Sequence, residues 1–201
     1  MTNVTGRGFD WRYLPVVLLL TLVAACAPSQ GMNHAVAGHG VTDTKAPFDQ
    51  QFIDMMVPHH EGAIEMAKVA ATRAQRPEIR QMAQAIAADQ TREVGQMKGW
   101  RKAWYGSDQT PGWEKMPMLP EMKTPMGNMA DDVRRLQAAS PVEKAFIDMM
   151  IPHHEAAVEA AQIAQQRAER AEIKVLAQAV IDAQTREIAQ MKEWRKAWYG
   201  S

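Results

Sequence analysis

The sequence IDMMVPHH occupies residues 53–60, and it returns as IDMMIPHH at residues 147–154. The segments around these strings align without a gap, residues 47–107 on residues 141–201, with about 60% of the paired positions identical. An internal repeat governs the architecture of a chain, because each copy forms the same local structure and the copies bury each other's apolar faces. The fold therefore depends on what one copy forms and on how two copies pack.

Each copy begins with an amphipathic helix whose histidines lie on the apolar side. In the first copy, apolar residues recur at steps of four and three along two adjoining stripes. The first stripe contains Phe52, Met56, His59, Ala63, Met66 and Ala70, and the second contains Ile53, Val57, His60, Ile64, Ala67 and Ala71. Because each stripe carries one histidine, we expect both His59 and His60 to face the core.

The rest of each copy predicts a second helix that runs back along the first. The turn signal at residues 75–78 places Pro77 at the first helical position, and Gly106 suits the left-handed residue that ends a helix. Each copy is therefore an αα-hairpin, which cannot bury its apolar face alone. The two copies predict an all-α four-helix bundle, with a Met-rich linker at residues 108–139 between the hairpins.

The second hairpin carries a helix-start signal. Ser140 suits the N-cap position, Pro141 the first helical position and Glu143 the third. In such a capping box, the Glu143 carboxylate accepts a hydrogen bond at the start of its own helix. The first copy keeps the proline and the acid, as Pro47 and Asp49, but lacks the capping hydroxyl.

The N-terminal residues predict export across a bacterial membrane. Arg7 and Arg12 precede an apolar run at residues 14–25, which is too short for a comfortable membrane span. The run ends in LVAAC, whose last residue, Cys26, is the only cysteine of the chain. That ending resembles a lipobox, in which the signal is cut before the cysteine and the thiol receives lipid. The alternative is a plain secretory signal with an incidental cysteine.

These features divide the chain into three parts. Residues 1–25 are interpreted as a lipoprotein signal peptide, residues 26–45 as a flexible tether and residues 46–201 as the helical bundle domain. A lipid on Cys26 would anchor the protein to a membrane without spanning it. We therefore expect a protein of the bacterial cell envelope, lipid-anchored on the periplasmic or outer-membrane side.

Composition excludes several classes of function. The formal net charge is zero and no basic cluster is present, so we expect no nucleic-acid partner. A single cysteine excludes an internal disulfide and a cysteine-based zinc site. We find no activated serine or cysteine, no phosphate loop and no acid pair with a matching base, and we expect the protein not to be an enzyme.

The hairpin places candidate metal ligands opposite the histidines. Mirroring the first helix about the turn brings His59 opposite residues 90–94 and brings the preceding methionine pair opposite Met97. The second copy repeats this arrangement. Each half can therefore gather two imidazoles, up to three thioethers and one carboxylate, which is Glu93 in the first half and Glu187 in the second.

This set of donors favours copper. Thioether sulfur is a poor ligand for Mg²⁺, Ca²⁺ and Zn²⁺, whereas Cu(I) accepts it together with imidazole. Di-iron bundles need Glu-x-x-His on two helices, and the second helix of each copy contains no histidine. The structural alternative is that the methionines are core filler and the histidines satisfied core residues. Asp54 and Asp148 are either partners that orient an imidazole or acids of the helix surface.

The linker holds a second group of methionines. Its members are Met116, Met118, Met122, Met126 and Met129. Spaced methionines in a flexible envelope segment resemble copper-trafficking motifs, and the alternative is an amphipathic cover for the bundle. Residues 131–139 of the linker predict a short helix.

The strings FIDMM(V/I)PHHE and QMKxW resemble the DUF305 family, the domain of unknown function 305, over about residues 46–201. The resemblance implies a ferritin-like helical bundle, an envelope location and, in some members, copper binding and copper resistance. Carried over position by position, the implied metal ligands are Met55, Met56, His59, His60, Met66, Met97, Met149, Met150, His153, His154 and Met191.

We therefore expect a lipid-anchored envelope protein that binds copper as Cu(I), for buffering, resistance or transfer to a copper-trafficking partner. The alternatives are a structural or partner-binding bundle without a physiological metal, and a metal-dependent oxidoreductase that uses the two glutamates as extra ligands. Ala160 and Leu176 stand where the first copy has Met66 and Met82. If each hairpin builds its own site, the second site should be the weaker one for Cu(I).

Overall fold

The computed structural model describes residues 45–200. The expected signal peptide, the lipidated Cys26 and nearly all of the tether lie outside the described residues. Within residues 45–200 the regular structure is helical, which confirms the all-α prediction. The helices are α1 (Phe48–Arg73), α2 (Pro77–Tyr105), α3 (Met129–Ala138), α4 (Val142–Arg167) and α5 (Ala171–Tyr199), with a 3-10 turn at Trp113–Lys115.

The helix ends follow the local signals in the sequence. Pro77 occupies the first position of α2, where its missing N–H group costs nothing. Gly106 and Gly200 end α2 and α5 with φ angles of 82° and 77°, a left-handed conformation that glycine adopts without strain. The short helix expected at residues 131–139 forms as α3, two residues earlier. None of the helices in the described part is apolar over a length that could cross a membrane.

The two hairpins dock through their first helices. α1 packs against α2 and α4 against α5, and the contact between hairpins is made by α1 with α4. One buried cluster contains residues 52–57 of α1 and residues 156–168, which form the second half of α4 and the residue after it. The other contains residues 63–70 of α1 and residues 146–151 of α4. α1 and α4 therefore run antiparallel, and each apolar cluster combines residues of both hairpins.

Two buried acids join the hairpins at opposite ends of the bundle. Asp49, at the start of α1, accepts hydrogen bonds from the backbone N–H groups of Glu169 and Arg170 at 3.1 and 3.0 Å. These donors precede α5, so an acid of one hairpin satisfies the helix start of the other.

The acid at the start of α4 does the same for the first hairpin. Glu143 accepts from the backbone N–H groups of Gln75 and Arg76 at 2.5 and 3.3 Å. The expected capping box is therefore wrong: α4 begins at Val142 with no side-chain cap, because the carboxylate is used by the neighbouring turn. The two hairpins can exchange caps in this way because the turn of each hairpin lies beside the start of the other hairpin's first helix.

The arginines of these turns also cover the aromatic ends of the hairpins. The guanidinium group of Arg170 lies 4.1 Å from the ring centroid of Trp104, and that of Arg76 lies 4.1 Å from the ring centroid of Trp198. Such contacts are attractive because the cation faces the negative side of the ring. Each bundle end thus holds a buried acid and a stacked arginine that both connect the two hairpins.

Glu143→Gln should destabilise the protein in a pH-dependent way. Burial raises the pKa of Glu143, but hydrogen bonds from its own backbone N–H group and from those of Gln75 and Arg76, together with the charge of Arg76, outweigh it and hold the pKa below its ordinary value of 4.5. The stabilisation is therefore present above pH 4.5 and is lost as pH falls through the lower pKa of the folded state. At pH 7 we expect the free energy of unfolding to fall by about 1–2 kcal/mol, as for a hydrogen bond to a charged group.

Urea unfolding of parent and variant between pH 7 and pH 3 measures this. The difference in free energy of unfolding between parent and variant should disappear at acid pH, because a protonated glutamate and a glutamine have the same charge. Glu78→Gln is the matched control, since Glu78 is exposed in the first turn of α2, and it should change stability by less than about 0.5 kcal/mol. A gap that stays constant over this pH range would contradict the assigned role of Glu143.

Candidate metal centre

Four histidines meet where α1 crosses α4. The ring centroids of His59 and His153 are 3.7 Å apart with the planes tilted by 30°, and each ring lies 6.2 Å from its sequence neighbour, His60 or His154. His153 is 6% exposed and the other three are fully buried. The histidines of the two hairpins therefore lie together, because the apolar faces of α1 and α4 pack on each other at the histidine positions.

The second helix of each hairpin orients one histidine of the cluster. Nε2–H of His60 donates to Oε2 of Glu93 at 2.8 Å, and Nε2–H of His154 donates to Oε2 of Glu187 at the same distance. These pairs confirm the register expected from the hairpin turn. A carboxylate that holds Nε2–H leaves the lone pair of a neutral imidazole on Nδ1. Both Nδ1 atoms are buried and have no hydrogen-bond partner.

His59 and His153 are held in the neutral form. Burial, followed by the neighbouring histidines, holds the pKa of each well below the ordinary value of 6.5. Both ring nitrogens of His59 are buried without a hydrogen-bond partner, as is Nδ1 of His153. A neutral imidazole keeps one lone pair, so these rings can act as metal ligands without first losing a proton.

Asp54 and Asp148, which occupy matching positions in the two copies of the repeat, do not orient the histidines. Asp54 pairs with Arg101 through Nε at 2.5 Å and Nη2 at 3.2 Å. Asp148 pairs with Arg195 at 2.5 Å and also with Lys144. Of the two interpretations of these acids, the histidine partner is therefore wrong. That role belongs to Glu93 and Glu187.

The thioethers lie in two buried clusters, one with methionines of the first hairpin and the linker and the other with methionines of both hairpins. One buried cluster contains Met55, Met56, Met97, Met122 and Met126, and the other contains Met66, Met82, Met150 and Met191, with the half-buried Met149 packed against it. The methionine pairs lie three or four residues before the histidines and so share their helix faces. Met66 thus lies in the same buried cluster as Met150 and Met191 of the second hairpin, because α1 and α4 are antiparallel.

This exchange removes the basis for expecting a weaker second site. Ala160 and Leu176, which replace thioethers in the repeat, lie in the cluster of Met55, Met56 and Met97. The linker adds two buried methionines, Met122 and Met126, to that same cluster. The missing thioethers of the second copy are thus matched by thioethers from the linker.

Met129 was not expected at the site, yet it is the thioether in contact with a histidine. Its Sδ lies 3.2 Å from Nε2 of His153, and its side chain is buried. A Cβ at Gly62 would lie 2.6 Å from this sulfur and 2.7 Å from Cγ of Met129. The second copy has Ala156 at the matching buried position. The glycine in α1 therefore leaves a notch for Met129, and this Gly–Ala difference within the repeat was the available signal.

The candidate ligands at the cluster are imidazole nitrogens and thioether sulfur, because the carboxylates of Glu93 and Glu187 are already used by His60 and His154. Within residues 45–200, no three or more His, Cys, Asp or Glu side chains are arranged to hold a metal ion by themselves, so a site at the histidine cluster would also have to use thioethers. The atoms present are buried imidazole nitrogens with unused lone pairs and buried thioethers. This set fits a soft monovalent ion better than a hard divalent one.

Gly62→Ala should expel the Met129 side chain and destabilise the protein. Overpacking of a buried site costs about 1–3 kcal/mol, which exceeds the gain of up to about 1 kcal/mol in helix propensity. In a Met129→Ala background the two contacts below 3.0 Å are absent and only Cβ of residue 129 stays close, at 3.1 Å, so the same substitution should cost much less. Chemical unfolding of the four proteins in this cycle measures the coupling.

Gly99→Ala is the control for helix propensity. A Cβ at Gly99 meets nothing within 4 Å, so this variant should be as stable as the parent or more stable. Equal effects of Gly62→Ala with and without Met129 would show that the notch is not occupied as described.

Comparison with known proteins places the chain in a family. The model of DUF305, a domain of unknown function, matches residues 49–198. The structure of CopM in the Cu(I)-bound form is 38% identical with a TM-score of 0.63, covering 76% of this chain and 98% of that chain. CopM in the Cu(II)-bound form is 39% identical with a TM-score of 0.64, covering 75% and 97%.

A more distant structure has the same fold. A DUF305 fragment from Deinococcus radiodurans is 28% identical with a TM-score of 0.61, covering 74% of this chain and 95% of that chain. No curated protein matches the chain. The family model covers most of the helical bundle and both histidine pairs, and the chain belongs to the DUF305 family.

Proposed function

We propose that this protein binds copper as Cu(I) at the four-histidine cluster and buffers it or passes it on in the bacterial envelope. The observation that carries the proposal is the state of His59. Its ring is fully buried, stacks on His153 and has no hydrogen-bond partner at either nitrogen. Buried polar groups are normally paired, because an unpaired one keeps the cost of lost hydration. A bound metal ion would use one of these two nitrogens, the one that carries the lone pair of the neutral ring.

The surroundings of the cluster support copper as the ion. Imidazole and thioether together suit Cu(I), and both occur here in a buried region that holds water away from the ion. The structures of CopM include forms bound to Cu(I), Cu(II) and Ag. That protein is similar over nearly its whole length, which supports a copper-related function for this chain.

Individual residues have separate tasks in this proposal. Glu93 and Glu187 hold two imidazoles in place and direct their Nδ1 lone pairs away from the carboxylates. His59 and His153, which stay neutral at physiological pH, provide nitrogen ligands at the crossing. The methionines on either side offer soft ligands that exchange readily. Copper can therefore move between thioether and imidazole without being bound too tightly to be released.

His59→Ala and His153→Ala should weaken Cu(I) binding together, not independently. Each single variant removes a nitrogen from one shared cluster, and we expect each to lower affinity by at least about tenfold, the size of effect typical of groups in a metal site. The double variant should be little worse than the more damaging single variant. Competition with a chromophoric Cu(I) chelator measures the affinities, and circular dichroism checks the helix content.

The His34→Ala/His39→Ala protein, which changes the two histidines of the sequence that precede residue 45, controls for loss of histidine as such and should bind as the parent does. Effects of His59→Ala and His153→Ala that add in full, on two separate binding phases, would contradict a single shared centre. Full copper affinity in the double variant would contradict the copper function at this place and favour the structural bundle.

We also propose that the protein is a lipoprotein held at the envelope through Cys26. The support is the LVAAC string at the end of the apolar run, with the chain's only cysteine at the lipidation position. One lipidated residue holds a protein at a membrane. The length of chain between Cys26 and the bundle would set how far the bundle can lie from that membrane.

Cys26→Ser should abolish lipid attachment, because the acceptor is the thiol. Expressed in a bacterial host, the parent should incorporate labelled fatty acid and sediment with membranes. The variant should carry no label and accumulate as uncleaved precursor, as judged by the mass of its N-terminal peptide. A variant that is cleaved and sediments like the parent would overturn the anchor.

A further inference from the structure

A polar groove separates α2 from α5. The cavity has a volume of about 320 Å³ and lies between helices that do not pack closely on each other. Its lining repeats itself, because Gln90 and Glu93 of α2 match Gln184 and Glu187 of α5 in the two copies. The same two glutamates hold His60 and His154, so their carboxylates belong both to the groove and to the histidine cluster.

The two glutamines are unusual for buried side chains. Gln90 and Gln184 are each 3% exposed, and Oε1 of each has no hydrogen-bond partner. Buried amide oxygens are normally paired, and here the same exception occurs at both positions of the repeat in the lining of one groove. An amide oxygen can only accept, so its partner must be a cation or a donor such as the water around a cation.

The charge of the groove also favours a cation. Its lining contains four carboxylates and two guanidinium groups, and one of these groups is already paired, Arg92 with Asp89 at 2.8 Å. The lining therefore has two more carboxylates than guanidinium groups. An acidic cleft with low-dielectric walls raises the local concentration of cations and speeds their association.

We propose that this groove is the access route of the metal ion between solvent and the histidine cluster, an inference that rests on the proposed copper function. Gln90 and Gln184 would replace water around the ion, and Glu93 and Glu187 form the wall that the groove shares with the cluster. The route does not require the hairpins to separate, because α2 and α5 already stand apart.

Gln90→Leu/Gln184→Leu tests the route. Leucine is similar in size but has no oxygen, so the barrier to passage should rise while the ligands of the cluster stay in place. We expect uptake and release of Cu(I) to slow by the same factor, about tenfold or more, with the equilibrium affinity changed less than about twofold. Stopped-flow exchange with a chromophoric Cu(I) chelator gives both rates, and equilibrium competition with the same chelator gives the affinity.

Gln96→Leu/Gln190→Leu is the matched control. These glutamines are also a repeat pair on α2 and α5 but do not line the groove, so both rates should stay as in the parent. A second variant, Ala183→Phe, fills the groove from α5 without removing a polar group and should slow both rates as well. Thermal unfolding checks that each protein is folded.

The outcomes separate the route from the function. Unchanged rates in both groove variants of a protein that binds Cu(I) would overturn the route and leave the copper function standing. A loss of affinity with unchanged uptake would also overturn it, because the glutamines would then be ligands of the bound ion. A parent protein that binds no Cu(I) would overturn the proposed function itself.

Discussion

The antiparallel packing of α1 on α4 sets the arrangement of the rest of the bundle. Both His59 and His153 lie near the middle of their helices, so this packing brings their rings into contact at the centre. With the two helices antiparallel, the first half of each lies against the second half of the other. Every apolar layer above or below the histidines must then combine the two hairpins. The thioethers consequently flank one centre that is rich in nitrogen.

A centre of this kind does little to hold itself together. A stacked aromatic pair contributes about 0.5–1.5 kcal/mol beyond its area, whereas unpaired buried nitrogens oppose folding. The bundle ends supply the connection that the middle lacks. Asp49 and Glu143 each accept two backbone hydrogen bonds across the hairpins, and Arg76 and Arg170 each stack on a tryptophan. Strong contacts at the ends allow a histidine cluster with unpaired nitrogens in the middle.

The sequence was sufficient to predict contacts within one hairpin, because a short turn joins its two helices. Residues within one hairpin are placed by counting from its turn, and this predicted Glu93 opposite the first histidine pair and Glu187 opposite the second. The relation between hairpins could not be obtained in this way, because the long linker permits several ways of docking. The grouping of Met66, the shared histidine cluster and the exchange of Glu143 to the neighbouring turn all depend on that relation. They became visible only with the crossing of α1 and α4.

The linker makes two nearly equal hairpins unequal, and its attachments explain how. Glu159 accepts from the backbone N–H groups of Lys123 and Thr124 at 2.8 Å, which ties the linker to α4. The following α3 lies against α1, where Gly62 leaves space for Met129.

The same segment shields the first hairpin more than the second. The side chains of the Asp54–Arg101 pair are 14% and 12% exposed, while those of Asp148 and Arg195 are 32% and 31% exposed. The backbone oxygen of Ser107, directly before the linker, accepts a hydrogen bond from Nη1 of Arg101. Met122, Met126 and Met129 of the linker become buried because the linker must return over this face to reach α4. A flexible cover alone would not need a glycine notch in α1, whereas a linker that delivers a sulfur atom to His153 does.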